Sequence, residues 1–183
     1  MTEVDYHSKR DDLISALHQA HRRLQQQFLQ HQECLLEGHD VFARNTWLAF
    51  CHDLNSHMQF EEQYLWPETN GNGRWSTNVY LAEHRKISSM RHAVCRQLNT
   101  WLGSSGQSKR HALLALLDAQ QTMMRVMSHH ETREEQDLFP VIKTIMHSRA
   151  VEVSVHAYLQ IEQQYQRYFA RQYQAIACWL TQA

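Results

Sequence analysis

Apolar residues recur every three or four positions along most of the chain, which is the period of an amphipathic helix. Short polar breaks at Gly38, in the stretch 67–73 and in the stretch 103–106 divide this pattern into four long segments. Each segment allows a helix of roughly 25 to 35 residues, and short connections make consecutive helices antiparallel. The pattern therefore predicts an all-α fold: an up-down-up-down four-helix bundle over residues 1–148, followed by an additional C-terminal helix within 149–183.

Histidine interrupts the apolar stripe of each of the four predicted helices. The inward polar residues are His21, His57, His84 and His130, of which the second and fourth are followed one turn later by Glu61 and Glu134. Imidazole and carboxylate groups on a core face are costly unless they are paired or bind a metal. Residues four apart lie about 40° apart around a helix and about 6 Å apart along it, so both can approach one ion. These six side chains predict a metal centre inside the bundle.

The chain repeats this chemistry. Residues 57–67 and 130–140 both read HxxxEExxL(W/F)P, and the sequence AHRRL around His21 corresponds to EHRKI around His84. Four imidazoles and two carboxylates around one point suit two metals about 3.5–4 Å apart, with the carboxylates as bridges. Mixed imidazole and carboxylate ligands suit iron, manganese or zinc, and the lack of thiolate ligands argues against a structural zinc site.

Composition narrows the classes of partner and location. The 18 Lys and Arg residues nearly balance the 19 Asp and Glu residues, so the formal net charge is −1 and nothing favours nucleic acid as a partner. No apolar run reaches the roughly 20 residues of a membrane span, so no membrane partner is expected. The first residues form no apolar signal core and the 4 cysteines are scattered, which favours reduced thiols and a cytoplasmic location.

In these features the sequence resembles the hemerythrin-like family, also called the HHE cation-binding domain. The resemblance covers roughly residues 10–147 and is carried by His21, His57 with Glu61, His84, His130 with Glu134, and the LWP and LFP ends of the repeat. It implies a four-helix bundle that holds a non-heme di-iron centre. Members of the family carry oxygen, sense oxygen or iron, or respond to nitric oxide and oxidative stress. We therefore expect a protein that binds or senses oxygen, nitric oxide or iron; the alternative is a di-iron oxidoreductase in oxidative or nitrosative stress defence or in iron-centre repair.

The sequence departs from the oxygen carriers of that family. They have a second ligand histidine one turn after the histidine of the third helix, where this chain has Ser88, and an aspartate five residues after the last histidine, where this chain has Glu134 at four. This smaller ligand set predicts open positions on both metals, and therefore onward oxidation rather than reversible oxygen carriage. Glu62, Glu131 or Glu135 could fill such a position.

Two expectations concern residues outside the six. His31 lies on the apolar stripe of the first helix, about 15 Å from His21 along the axis. It is either a core histidine, part of a second site or part of an access path. The predicted C-terminal helix carries many aromatic side chains: Tyr158, Tyr165, Tyr168, Phe169, Tyr173 and Trp179. Because a solvated tail rarely exposes so many aromatics, we expect this helix to pack on the bundle or to form a homodimer interface.

Overall fold

Helices account for most of the residues that the computed structural model describes, 3–69 and 72–145, and no β-strand occurs there. In chain order they are α1 (Glu3–Leu36), α2 (Asp40–Phe60), the π-helical turn π1 (Glu61–Leu65), α3 (Trp66–Thr69), α4 (Thr77–Leu102), α5 (Gly106–Arg133), the π-helical turn π2 (Glu134–Leu138) and α6 (Phe139–Ile145). The all-α expectation is confirmed for these residues. The C-terminal helix predicted within 149–183 lies outside the described residues.

A glycine ends the first helix at the predicted break. Gly38 has a φ of +74°, in the left-handed region that favours glycine. Its N–H donates to the carbonyl of Leu35 at 3.1 Å, and the N–H of His39 donates to the carbonyl of Cys34 at 2.9 Å. These two bonds satisfy carbonyls that the helix end would otherwise leave unpaired. The chain re-enters a helix at Asp40, which brings α1 and α2 into contact.

The four long helices share one hydrophobic core. Phe28 of α1, Phe50 of α2, Trp101 of α4 and Leu116 of α5 are all buried in it. The rings of Phe28 and Phe50 meet edge to face, with centroids 5.3 Å apart. Burial of these large apolar groups is the main driving force that holds the helices together. No helix within the described ranges is both long enough and apolar enough to cross a membrane.

A second apolar cluster lies on the other side of the inward histidines. It contains Leu17 of α1 together with Trp66 and Phe139, the aromatic residues of the two repeats. On α1, His21 lies between Leu17 of this cluster and Leu24 of the larger core. The inward polar residues therefore form a layer between two apolar clusters.

Each repeat passes through a π-helical turn. The N–H of Trp66 donates to the carbonyl of Glu61, and the N–H of Phe139 donates to the carbonyl of Glu134, so both bonds span five residues instead of four. Such turns insert one extra residue into a helix and often occur at functional sites. Both turns start at a glutamate that the sequence predicts as a metal ligand.

The π-helical turns also correct one expectation from the sequence. We expected a loop from Pro67 onward, but helix α3 continues through this proline to Thr69. Proline lacks an N–H, and its ring crowds the carbonyl of the preceding turn. The wider turn immediately before Pro67 relieves that crowding, so the helix continues where the loop prediction had ended it.

Candidate metal centre

The helices bring all six residues of the predicted metal site to one point. They form two overlapping groups whose possible ligand atoms lie within 4.8 Å of one another: His21, His57, Glu61 and Glu134, and then Glu61, His84, His130 and Glu134. All six side chains are buried. We call His21 and His57 the first pair and His84 and His130 the second pair. Each pair, with the two glutamates, could hold a metal ion.

The two glutamates each span both histidine pairs. The nearest oxygen to Nε2 distances are Glu61 to His57, 3.1 Å; Glu61 to His84, 3.4 Å; Glu134 to His130, 3.3 Å; and Glu134 to His21, 3.5 Å. In each glutamate one carboxylate oxygen faces the first pair and the other oxygen faces the second pair. This is the arrangement that a carboxylate bridge between two ions requires.

Outer carboxylates orient three of the four imidazoles. The Nδ1 contacts are His21 to Glu135 at 2.8 Å, His84 to Glu62 at 2.9 Å and His130 to Glu83 at 3.0 Å. Because a carboxylate accepts, Nδ1 of these rings carries a hydrogen, and in the neutral form of each ring Nε2 keeps a lone pair toward the centre. Each half of the centre consists of one repeat and the histidine of the preceding long helix. The second glutamate of each repeat bonds that histidine of the other half, so Glu62 bonds His84 and Glu135 bonds His21. Glu62 and Glu135, which the sequence left open as ligands, bind imidazole instead.

Two features of this centre would be stabilised by a positive charge close to them. The Nε2 atoms of His84 and His130 are 2.9 Å apart, and if both rings are neutral with their hydrogen on Nδ1, two lone pairs face each other across this distance. The carboxylates of Glu61 and Glu134 are fully buried, and the polar groups that face their oxygens are the Nε2 atoms of the four histidines, at 3.1, 3.3, 3.4 and 3.5 Å. Burial of charge without compensation costs several kcal/mol per ion. Cations between these groups would relieve both the lone-pair contact and the buried negative charge.

The close contacts between histidines and glutamates also shift the pKa values of the site. Burial alone lowers the pKa of His21, but Glu134, Glu61 and Glu135 together overcome this effect and raise it to about 9. Burial alone would raise the pKa of Glu61, but the facing imidazoles of His57 and His84 hold that pKa well below its ordinary value. The site therefore favours bound cations, which are protons when no metal is present.

The aromatic residue of each repeat covers a histidine of the other half. The ring of Trp66 lies 4.6 Å from that of His84, and the ring of Phe139 stacks on that of His21 at 5.6 Å and 22°. Both aromatic side chains are buried. They shield the imidazoles from bulk water, and in this less polar environment electrostatic interactions are stronger. In each repeat, the second glutamate and the aromatic residue both contact a histidine of the other half, and these contacts join the two halves around the centre.

Glu131 is a buried carboxylate beside the six. Its Oε2 atom accepts a hydrogen bond from Gln25 at 2.7 Å, and no described residue donates to its Oε1 atom. Burial raises its pKa, and the charge of His21 opposes this shift. The corresponding residue of the first repeat is Met58, which is also buried. Of the three carboxylates that the sequence left open, Glu131 is the one with an uncommitted buried oxygen.

Glu83, which was not among the residues predicted from the sequence, bonds Nδ1 of His130. Arg133 donates to the second carboxylate oxygen of Glu83, and its guanidinium lies 4.9 Å from the ring centroid of Trp75. The indole N–H of Trp75 donates to Asp137 at 3.0 Å. A chain of contacts thus joins the candidate ligand His130 to the loop before α4. Glu83 directly precedes an inward histidine, and this position was the only signal in the sequence that could have identified it.

His31 belongs to neither histidine pair, although the sequence left it open as a second site. It is fully buried, its Nδ1–H donates to the carbonyl of Ala43 at 2.7 Å, and its Nε2 accepts from Gln120 at 2.8 Å. Burial lowers its pKa to about 4. These contacts favour the interpretation of His31 as a neutral core histidine with both ring nitrogens paired.

Comparisons with protein-family models, with curated proteins and with solved structures give no match for this chain. The resemblance to hemerythrin-like proteins therefore rests on the six residues, their spacing and the LWP and LFP ends of the repeat. To this the structure adds a buried cluster of histidine and glutamate side chains that could hold metal ions.

Proposed function

We propose that this protein is a non-heme di-iron protein of the hemerythrin-like type, with the four long helices in up-down-up-down order around the metal pair. The observation that carries the proposal is the pair of fully buried glutamates, each of which reaches one histidine of each pair. In this proposal each histidine pair would hold one iron, and Glu61 and Glu134 would each offer one carboxylate oxygen to each ion. Manganese or zinc would use the same donor atoms.

The side chains around the metal pair support a role with small molecules. Bound iron supplies redox and Lewis-acid chemistry toward ligands such as oxygen or nitric oxide. The carboxylates on Nδ1 keep three imidazoles aimed at the metals, and Trp66 and Phe139 shield the centre from bulk water. We infer that the protein binds or senses such a small molecule, or iron itself. A net charge of −1 supports a small-molecule partner rather than nucleic acid.

The second candidate function is a di-iron oxidoreductase in oxidative or nitrosative stress defence or in iron-centre repair. The small number of imidazoles favours this function. The residue one turn after His84 is Ser88, and each group of possible ligands contains only two histidines. Iron held by two imidazoles and two carboxylates would keep positions open to other ligands, and it would supply redox chemistry toward oxygen.

The proposed location is the cytoplasm. Free thiols at Cys34, Cys51 and Cys95 support it, because thiols persist in a reducing compartment. The absence of a membrane-spanning helix among the described residues is compatible with this location.

Metal analysis of the full-length protein, purified without added metal, tests the proposal. We expect about two irons per chain, because the two histidine pairs offer two positions. His57→Ala and His130→Ala each remove one ligand from one pair and should lower the stoichiometry. His129→Ala is the matched control, since His129 precedes His130 but is exposed. Full metal content in both ligand variants would overturn the assignment.

Optical spectra test whether the proposed centre carries oxygen reversibly. The protein is reduced without oxygen, exposed to oxygen, and then returned to oxygen-free buffer. A reversible carrier would regain its reduced spectrum over several cycles. We expect the spectrum to remain oxidised until reductant is added again, and recovery without reductant would show a reversible carrier and contradict this expectation.

A further inference from the structure

The second histidine pair is held at both of its outer nitrogens. His84 Nδ1 bonds Glu62 at 2.9 Å, and His130 Nδ1 bonds Glu83 at 3.0 Å. Glu83 is itself fixed, because Arg133 donates to its other carboxylate oxygen. Both imidazoles of this pair therefore have a set orientation before any metal binds.

The first pair is held at only one of its outer nitrogens. His21 Nδ1 bonds Glu135 at 2.8 Å, but Nδ1 of His57 is buried and has no hydrogen-bond partner among the described residues. The repeat explains this difference. The residue that corresponds to Glu83 is Ala20, directly before His21, and alanine offers no side-chain acceptor.

We propose that the two metal positions are inequivalent, with a tightly held ion at the second pair and an exchangeable ion at the first pair. The inference rests on the proposed metal-binding function. A carboxylate on Nδ1 fixes the ring and makes Nε2 a stronger donor, and loss of such a partner typically lowers metal affinity about 10–100-fold. His57 lacks this partner, so the first pair fills last and empties first. A second iron that exchanges makes the centre responsive to the free iron concentration.

Glu131 is the competing influence on the first pair. It contacts α1 through Gln25, and its Oε1 atom accepts no hydrogen bond from a described residue. Coordination by Glu131 would add a carboxylate ligand at this position and would make the first pair the tighter one. The order of affinities therefore distinguishes a missing imidazole partner from an added ligand.

The test is an oxygen-free titration of the metal-free, full-length protein with Co²⁺, followed by ligand-field absorption with a competing chelator. Wild-type protein should bind two ions in two steps that differ about 10–100-fold in affinity. Glu83→Ala should weaken the tighter step and leave the weaker step unchanged. Glu135→Ala is the matched control, because it removes the partner of His21 and should weaken the weaker step alone.

Two further variants sharpen the titration. Glu83→Gln keeps an acceptor of the same size and should retain more of the tighter step than Glu83→Ala. Ala20→Glu supplies the missing acceptor near His57 and should bring the weaker step toward the tighter one. If the Ala20 variant fails to fold, the Glu83 and Glu135 variants still decide the question, because each is expected to weaken a different binding step.

Three results would overturn the inference. The first is two equal steps in wild-type protein, and the second is a Glu83→Ala variant in which both steps, or only the weaker one, are reduced. The third is a loss of the tighter step in Glu131→Gln, which would assign that step to the first pair. Each of these leaves metal binding intact. A wild-type protein that binds no Co²⁺ stoichiometrically would instead overturn the proposed function, and the inequivalence with it.

Discussion

Acid should destabilise this protein through a single buried histidine away from the metal centre. His31 is fully buried, with its Nδ1–H bonded to the carbonyl of Ala43 and its Nε2 accepting from Gln120. The carbonyl oxygen of Gln120 accepts in turn from Gln32 at 3.2 Å, so the orientation of the amide is set. A proton added to Nε2 would face the amide N–H of Gln120 and would have no acceptor. The native fold therefore opposes protonation of this ring.

The size of this effect follows from the two pKa values. Burial lowers the pKa of His31 from 6.5 to about 4 in the folded protein. Above pH 6.5 the ring is neutral in both the folded and the unfolded chain, so stability does not change. Between pH 6.5 and pH 4 only the unfolded chain takes up the proton, and the free energy of unfolding falls as the pH falls. The loss is about 2.5 kcal/mol by pH 4.5 and approaches about 3 kcal/mol at lower pH.

Urea unfolding of the metal-free, full-length protein, followed by circular dichroism at pH 7.0, 6.0, 5.0 and 4.5, measures this loss. His31→Gln keeps a polar side chain but removes the titrating ring, while all other titrating groups stay the same. We expect the variant to be less stable than wild-type protein at pH 7. Its decline toward pH 4.5 should be shallower than that of wild-type protein by about 2.5 kcal/mol.

The control is His129→Gln, which removes an exposed histidine and should follow the wild-type curve. Parallel pH curves for wild-type protein and His31→Gln would refute the reasoning. They would mean that His31 takes up its proton in the folded protein near its ordinary pKa, and that the buried hydrogen-bond chain does not hold it neutral.

Three further predictions concern the metal centre and the C-terminal segment. Glu61→Gln and Glu134→Gln should each weaken both ions in the Co²⁺ titration, because each carboxylate spans both pairs, and loss of one ion alone would contradict a bridge. Ser88→His should move the oxygen response toward reversibility by closing one iron, and cycles identical to those of wild-type protein would argue against our count of open positions. A homodimer through 149–183 predicts twice the chain mass in light scattering of the full-length protein, whereas a single chain mass would exclude it.

The helical architecture and the six central residues were predictable from the sequence because both depend on local periods. The spacing of apolar residues defines the helices, and the four-residue spacing of His57 and Glu61 places both on one helix face. The repeat around His130 and Glu134 then indicates two similar halves of one centre. The interruption of a core stripe by polar groups is visible without knowing which helices are neighbours.

The partners of these residues were decided only by the tertiary structure. Glu62 and Glu135 each bond a histidine of the other half, and Glu83 holds His130 from a different helix. The helical continuation through Pro67 likewise depends on a π-helical turn that the apolar period does not encode. A hydrogen bond between helices depends on their separation and on the rotation of each about its axis. These two quantities are determined by the packing of the whole core and not by the spacing within any one segment.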